Sequence, residues 1–545
     1  MASTIPDPVP GRHDTAYAPA EAAFPAEAAL PPETPRPARN PAAPEHTAPR
    51  IEAHGIDHIP DADRRGRPRE LFAVWAAANV NYLSLLSGGV LVLIGLTLVQ
   101  ALAVIVVGNL LWLLTGVLAI SGPASGTPSE VITRAIYGVR GNRVNNAVVG
   151  WAISVCYFAL NLAAAASAAT ALVERAGVAP GDGVTAVVVV VIAALTLVIS
   201  VWGHAAIMKL YLPITLVLAL AFAVVAFSVF GHADFSYRPA EPLGGTALWA
   251  TLAAGLALIA SGPLSYTTSA DFSRYLPRTT SKRAVVGWTA LGGFVPSVVV
   301  CSLGALAATA VDMRDPQSGL ESILPGWFTS AFLLALVLGT IAINALTAYS
   351  AGLALQAVGL RIRRSYSVLV DGAAAVSLTL YALLVSDLLD TMSDVLQLTV
   401  VLLGPSTALY ATDILLRRNR YDGPALTDES PGSRFWYTGG VNVPGALALA
   451  AGVSAAALCV DTVYTGPVAA ALGGVDLSLP VGMLVAAGSY ALLMRPGRDG
   501  MRPGRDGMRP GRDGMRPGRD GMRPGRDGMR PGRDGMRPGR DASRA

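Results

Sequence analysis

Long runs of apolar residues alternate with short polar loops from Leu71 to about Leu493. Each run has about 20 residues or more, the length that an α-helix needs to cross a hydrocarbon layer of about 30 Å. The pattern predicts an all-α polytopic membrane protein with twelve transmembrane helices. The predicted ranges are 71–94, 96–120, 145–172, 184–203, 206–230, 246–268, 284–311, 328–358, 366–386, 393–416, 440–460 and 466–493.

The distribution of basic residues agrees with this number of helices. Clusters of Arg and Lys precede the first predicted helix and follow the second, sixth, eighth and tenth, whereas the alternate loops carry single Arg residues or only acidic ones. Basic residues are enriched in cytoplasmic loops. The distribution therefore predicts a multi-pass protein of the cytoplasmic membrane, with both termini in the cytoplasm and lipid as its surroundings.

Composition supports a membrane protein and separates two tails from it. Of the 545 residues, 52% are hydrophobic and 14% are charged, against about 25% charged residues in soluble domains. Residues 1–68 are rich in Ala, Pro, Glu and Arg and have no apolar period, which predicts a disordered cytoplasmic tail and no signal peptide. Residues 69–493 form the predicted transporter domain.

The C-terminal residues 494–545 repeat the basic heptad M-R-P-G-R-D-G. Pro and Gly in every unit exclude a coiled coil, so a second disordered tail is predicted. Two interpretations of the repeat remain open. Either the repeat lies on the anionic cytoplasmic leaflet, or it is a tandem expansion of the coding DNA that selection tolerates in a solvated tail.

Few residue patterns favour catalysis or metal binding. Cys156, Cys301 and Cys459 lie far apart inside apolar runs, which is typical of small buried residues and not of a disulfide framework or zinc site. The motifs H-E-x-x-H and G-x-S-x-G are absent from the sequence. We therefore predict no enzymatic activity, no cofactor, no bound metal and no nucleic-acid partner.

The sixth apolar run contains Ser261-Gly262-Pro263, where a helix is expected to break. The preceding part covers only about 20 Å, so the break falls inside the membrane. Irregular backbone at that depth is buried in protein or lines a cavity, and in secondary transporters such breaks form binding sites. The alternative is a proline kink that binds nothing.

Polar side chains in three other apolar runs are candidates for the same site. Tyr157 and Asn161 are four residues apart and share one helix face. The first helix carries Asn81 and Ser84 before Gly88-Gly89, where we predict a second break, and the eighth carries Asn344. An amide in lipid is costly unless it faces the protein interior. The alternative role is interhelical hydrogen bonding.

Two loop segments carry a family resemblance. The segment S-A-D-F-S-R-Y-L-P (269–277) and the segment P-S-E-V-I-T-R-A-I-Y-G (128–138) resemble loops of the nucleobase:cation symporter-1 family, in its purine/cytosine permease branch. The resemblance implies a LeuT-like fold of two inverted five-helix repeats plus two C-terminal helices, with helices 1 and 6 interrupted. It also implies a symporter that imports a nucleobase such as cytosine or a purine by alternating access.

The same resemblance implies a substrate site and a cation site. The substrate-binding residues would be Asn81, Ser84, Tyr157, Asn161, Ser261, Gly262 and Asn344. The cation would be held by backbone carbonyls of Ala77 and Val80 and by the Thr340 hydroxyl. Sodium-coupled members have hydroxyls where this chain has approximately Ala342 and Ile343.

A sodium ion requires several oxygen ligands, so this departure favours co-transported H+ over Na+. Lys209 is a candidate proton carrier if it is desolvated near the site. The alternative is that its ammonium group reaches the membrane surface.

Other functions remain open at this point. A permease for allantoin or hydantoin with the same fold would use the same side chains, because those rings are also planar and carry amide edges. A non-transporting membrane scaffold is an alternative of a different class. The sequence predicts neither the particular base nor the oligomeric state.

Overall fold

The computed structural model describes residues 52, 54–179, 181–314, 316–385 and 388–494, with only the backbone for 385 and 388–394. Residues 1–51 and 495–545, which hold most of the two predicted tails, lie outside the described residues.

Helices account for the regular structure of the described residues, beside two isolated β-bridges. The helices up to residue 232 are α1 (Glu70–Asn79), α2 (Tyr82–Leu93), α3 (Leu98–Asn109), α4 (Trp112–Ala119), α5 (Ser121–Ser125), α6 (Ser129–Ile132), α7 (Arg134–Asn145), α8 (Ile153–Arg175), α9 (Asp182–Trp202) and α10 (His204–His232). Two further elements are a 3-10 turn at Asp61–Asp63 and a π-helix at Asn146–Ala152, which joins α7 to α8.

The remaining helices follow from residue 245 onward. They are α11 (Gly245–Leu264), α12 (Ala270–Ser273), α13 (Lys282–Ala307), α14 (Pro316–Ile323), α15 (Thr329–Ala357), α16 (Arg364–Val385), α17 (Leu388–Leu416), α18 (Gly423–Thr427), α19 (Val443–Cys459), α20 (Pro467–Ala471) and α21 (Ser478–Leu493).

Nine helical stretches within the described residues are long and apolar enough to cross a membrane, and the bent pair α1 and α2 makes a tenth. The helices α19 and α21 are apolar but shorter, with 17 and 16 residues. The predicted all-α, multi-pass class is confirmed. The number twelve stays a prediction, because it requires α19 and α21 to cross as well.

The first span is interrupted, but not at Gly88-Gly89, where the sequence predicted the break. The chain bends by 56° between α1 and α2, and Asn81 at the bend has an extended backbone. The Asn81 Oδ1 accepts a 3.0 Å hydrogen bond from the Ser84 N–H, which caps α2. Gly88 and Gly89 lie inside α2, and a Cβ on Gly88 would collide with the Cys301 carbonyl of α13. These glycines therefore permit close helix packing and do not form the break.

The sixth span is interrupted later than predicted. Helix α11 continues through Ser261, Gly262 and Pro263 to Leu264, and turns at 265–269 separate it from α12. The Ser265 N–H donates to the carbonyls of Ser261 and Gly262 at 3.0 and 3.2 Å. The first of these bonds spans four residues, as in an α-helix, and the second spans three, as in a turn, so the helix continues past Pro263 before the turns begin.

The last predicted helix, 466–493, is divided. Helix α20 ends at Ala471, and Gly473 and Gly474 follow with φ of 72° and 88°, before α21 begins at Ser478. Left-handed backbone is accessible to glycine at little cost. The apolar run therefore contains a tight turn that hydropathy alone does not indicate.

Helix α15 lies at the centre of the bundle. Most of its residues are buried, and it packs against α8, α9, α10 and α16. By contrast, α9 and α10 expose large apolar side chains, among them Val187, Leu220 and Phe227. An apolar outer surface is suited to lipid, which agrees with a membrane-embedded bundle.

One end of the bundle, which we call the arginine-rich end, carries Arg64, Arg274, Arg364 and Arg417. Residues 54–68, assigned above to the tail, pack on it. Ile59 is buried and its N–H donates to the Gly126 carbonyl at 2.8 Å. The Arg64 guanidinium donates to the carbonyls of Ile59 and Pro123. The predicted boundary at residue 69 is therefore too late, because hydrogen bonds and not an apolar period hold this segment.

Candidate functional site

A cavity of about 80 Å³ with both polar and apolar walls lies between the helices, where the two interrupted spans meet α8 and α15. Its walls come from the α1–α2 break, α8, the end of α11 with the following turns, α13 and α15. Six of the seven predicted substrate residues line it: Asn81, Ser84, Tyr157, Asn161, Ser261 and Gly262. The structure thus brings together side chains that are as far as 181 residues apart in the chain.

Tyr157 connects α8 to the sixth span. Its hydroxyl donates to the Ser261 carbonyl at 3.1 Å and lies 3.1 Å from the Thr399 hydroxyl of α17. The ring lines the cavity while the hydroxyl is held by these two groups. Tyr157 therefore presents a fixed aromatic face to the cavity, which suits contact with a flat ring.

Asn161 lies one turn further along α8 and has unused hydrogen-bonding capacity. Its Nδ2 donates to the Tyr157 carbonyl at 2.9 Å. Its Oδ1 is buried and has no partner within the described residues. Buried acceptors are normally paired, so Asn161 offers an acceptor for an N–H group of a bound molecule.

Asn344 is the predicted residue that the cavity does not include. Its Nδ2 donates to the Phe158 carbonyl at 3.1 Å and so links α15 to α8. Its neighbours Ile343 and Thr347 line the cavity instead. The interhelical role, considered above as an alternative for buried amides, is the one that this geometry supports.

Several lining residues were not singled out by the sequence. They are Ser154, Ser265, Tyr266, Thr268, Phe272, Ser297 and Ser350, beside apolar contacts. Ser154 lies three residues before Tyr157 and could have been found from helix periodicity. Tyr266 and Thr268 lie in the turns after α11, whose position only the structure shows. Tyr266 stacks on Trp112 with ring centroids 5.3 Å apart.

The residues predicted to couple transport to a cation or a proton lie in two different places. Ala77, Val80 and Thr340 are buried, and a Cβ on Gly339 of α15 would collide with the Val80 carbonyl. The carbonyl end of α1 therefore lies against α15 beside Thr340. Lys209 is exposed on α10 and does not line the cavity. Nothing in this arrangement brings its ammonium group to the site.

A second polar cluster surrounds Glu52 at the arginine-rich end. The Glu52 carboxylate accepts from the hydroxyls of Tyr275 and Tyr349 and lies 3.5 Å from Arg274 and 3.6 Å from Arg364. Burial acts to raise the pKa of Glu52, but the two guanidinium groups outweigh it and hold the pKa below its usual value. We call Glu52, Arg274, Tyr275, Tyr349 and Arg364 the Glu52 cluster.

Most of this chain matches known protein sequences. Residues 58–482 match the protein family described as permease for cytosine/purines, uracil, thiamine and allantoin. YxlA of Bacillus subtilis (strain 168), provisionally assigned as a purine-cytosine permease, is 25% identical over 460 residues, covering 82% of this chain and 96% of YxlA.

Solved structures of Mhp1, a transporter of the nucleobase-cation-symport-1 family, have a similar fold. Closed Mhp1 with bromovinylhydantoin bound has a TM-score of 0.66 at 17% identity, over 82% of this chain and 96% of Mhp1. Inward-facing Mhp1 has a TM-score of 0.64 at 16% identity, over 82% and 95%. The predicted LeuT-like fold, with its first and sixth helices interrupted, is thus confirmed.

Proposed function

Because the chain belongs to the family of permeases for cytosine/purines, uracil, thiamine and allantoin, we propose that it imports a nucleobase such as cytosine or a purine by alternating access. The family consists of permeases, so the prediction of a transporter and not an enzyme is confirmed. The observation that carries the choice of substrate class is the unpaired, buried Oδ1 of Asn161 at the wall of a cavity that Tyr157 also lines.

These two residues supply what recognition of a nucleobase requires. The aromatic face of Tyr157 can stack against a planar ring. The Asn161 oxygen can accept from a ring or exocyclic N–H, and Ser84 and Ser261 bring further hydroxyls to the same cavity. A ligand that lacks an N–H donor would leave the Asn161 acceptor unpaired, which disfavours it.

We propose that the driving ion is H+ and not Na+. The cation site that the family resemblance implies would consist of the Ala77 and Val80 carbonyls and Thr340. Ala342 and Ile343 contribute no side-chain oxygen beside them. A site with so few oxygen ligands is poor for a hard cation. The exposed position of Lys209 does not support the lysine as the proton carrier.

The arginine-rich end is proposed to face the cytoplasm, because basic residues accumulate on that side of a membrane. Both termini would then be cytoplasmic. The protein would lie in the cytoplasmic membrane, and opening of the arginine-rich end would release substrate into the cell.

A permease for allantoin or a hydantoin is the second candidate. One observation favours it, namely the fold shared with Mhp1, whose closed structure holds bromovinylhydantoin. Such rings carry N–H donors and carbonyl acceptors and would use the same face of Tyr157 and the same oxygen of Asn161.

Uptake by cells that lack their own permeases distinguishes the two candidates. Labelled cytosine and hypoxanthine are offered with unlabelled uracil, allantoin or benzylhydantoin as competitors, at several pH and sodium concentrations. We expect accumulation of one of the labelled bases, faster at acidic external pH and independent of sodium. Competition by allantoin or the hydantoin alone would favour the second candidate, and absence of any uptake would contradict both.

The substitution Asn161→Leu tests the binding geometry. Loss of a hydrogen bond to a buried partner costs about 1–3 kcal/mol, so the half-saturating concentration of the base should rise about 5- to 150-fold. Asn109→Leu is a matched control. Asn109 also donates to the carbonyl four residues earlier and has an unpaired, buried Oδ1, but it does not line the cavity. Equal effects of the two substitutions would contradict the assignment.

A further inference from the structure

A buried pair of carboxyl groups lies beside the proposed substrate cavity and has no part in the site described so far. Glu130, in α6, is 2% exposed and Asp271, in α12, is 0% exposed. The two residues are neighbours in the fold, because the N–H of Ser129, the residue before Glu130, donates to the Asp271 carboxylate at 2.8 Å. Glu130 and Asp271 lie in the two segments, 128–138 and 269–277, that carry the family resemblance. The resemblance itself assigns no role to either carboxyl group.

The two members of the pair differ in their hydrogen bonds. Asp271 accepts from the Ser129 N–H at 2.8 Å and from the Ser350 hydroxyl at 2.7 Å. Neither carboxylate oxygen of Glu130 has a donor among the groups that the structure describes. An ionised carboxylate in such surroundings is strongly disfavoured, so Glu130 is the member that holds a proton in this conformation.

Other groups around the pair do not remove this need for a proton. Arg274 follows directly after α12, and its charge favours ionisation of Glu130 only weakly in comparison with burial. Tyr410 of α17 and Tyr137 of α7 line a small cavity with Glu130. Helices α5 and α18 have no titratable residue.

The titratable residue of α15, Tyr349, directs its hydroxyl to the Glu52 cluster. Burial, and then the neighbouring Asp271 charge, raise the pKa of Glu130 well above its usual value.

The pair is connected to the substrate cavity. Ser350, which donates to Asp271, also lines that cavity. Thr268 lines both the substrate cavity and the small cavity of about 30 Å³ that contains Glu130. The small cavity is large enough for a water molecule. Hydroxyls and such a water would form a continuous polar route for a proton.

We infer that Glu130, paired with Asp271, is the proton-binding site through which this permease couples import to the proton gradient. This deepens the proposed function and rests on it. A proton from the substrate side binds the Glu130 carboxylate and makes it a neutral acid, which lets the arginine-rich end close over it. When the arginine-rich end opens, α12 separates from α15 and the hydrogen bond between Asp271 and Ser350 breaks. Water then reaches Glu130 and takes up its proton on the side where the substrate leaves.

The substitution Glu130→Gln tests this inference, because glutamine resembles the permanently protonated acid. The full chain is reconstituted in liposomes with an imposed pH gradient and labelled cytosine or hypoxanthine, whichever the wild type accumulates. We expect the variant to lose at least about 90% of gradient-driven accumulation. It should keep exchange of labelled for unlabelled base at equal pH, which also shows that it is folded.

Asp271→Asn is a second variant with a different expected result. Removal of the neighbouring negative charge lowers the pKa of Glu130, so the pH at which uptake is half-maximal should move to lower pH by about one unit. Asp371→Asn is the matched control. Asp371 is equally buried and unpaired but lines neither cavity, so its replacement should leave coupling intact.

The outcomes separate this inference from the proposed function. Normal gradient-driven accumulation by the Glu130→Gln variant, with the wild type also active, would overturn the inference and leave the permease function standing. The same holds if Asp371→Asn abolishes coupling and Glu130→Gln does not. If the wild type transports a base but ignores the pH gradient, proton coupling itself is wrong and the inference falls with it.

Discussion

Replacement of Gly88 by leucine is expected to leave no folded protein. A Cβ on Gly88 of α2 would collide with the Cys301 carbonyl of α13, and one on Gly304 of α13 would collide with the Leu85 carbonyl of α2. Small residues allow such close backbone contact between membrane helices. Overpacking costs about 1–3 kcal/mol where side chains can yield, and more where only backbone is available.

The measurement is the monodisperse peak of a fluorescent fusion in size-exclusion chromatography. Gly287→Leu is the matched control, because Gly287 lies in α13, the helix against which Gly88 packs, and nothing is within 4 Å of a Cβ at this position. The control should give the wild-type peak. A normal peak for Gly88→Leu would show that α2 and α13 do not pack as described.

Replacement of Glu52 by glutamine is expected to reduce stability by about 3–5 kcal/mol, the typical cost when one partner of a buried ion pair is removed. Arg274 and Arg364 have side chains that are 0% and 3% exposed. Without Glu52 their charges remain buried without this counter-ion. Thermal unfolding in detergent measures the effect.

Glu70→Gln provides the control for this substitution. Glu70 lies in the first turn of α1, and its carboxylate accepts an exposed hydrogen bond from the Arg67 N–H. Its loss should cost at most about 1 kcal/mol. Equal unfolding midpoints for the two variants would contradict the structure of the Glu52 cluster.

The contribution of Glu52 should also depend on pH. Its pKa is lower in the folded protein, so the stability it adds is fully present above the unfolded value of about 4.3 and is lost as the pH falls through the folded pKa. Glu130 has a raised pKa, so its effect on stability has the opposite pH dependence: it is favourable at low pH and is lost as the pH rises. The difference in unfolding midpoint between wild type and Glu52→Gln should therefore shrink below about pH 4. A constant difference down to pH 3 would argue against an ionised Glu52.

The Glu52 cluster also gives the arginine-rich end a structural role. Glu52 precedes the first span and contacts α15, α16 and the residues after α12. The N-terminal segment thus joins parts of the bundle that must separate if this end opens during transport. Weakening the cluster is expected to favour the open state, in addition to lowering stability.

The sequence by itself determined the class of protein, most of the helices and six of the side chains or backbone positions that line the candidate cavity. Hydropathy over about 20 residues is a local property that the membrane imposes on each segment, so it can be read without tertiary information. The spacing of Tyr157 and Asn161 is likewise local, because residues four apart lie on one face of a helix. Breaks in the first and sixth spans were predicted correctly, although not at the correct residues.

The tertiary structure alone decided which glycines break a helix and which amides reach the cavity. Gly88 and Gly262 both lie in helical turns, and only the approach of α13 shows why the first is glycine. Asn344 turns to the Phe158 carbonyl, and Lys209 turns outward. A membrane helix is apolar on nearly every side, so its sequence hardly specifies its rotation about its own axis. Contacts between distant segments fix that rotation, and they also bring Glu52, Tyr266 and the Glu130–Asp271 pair to their places.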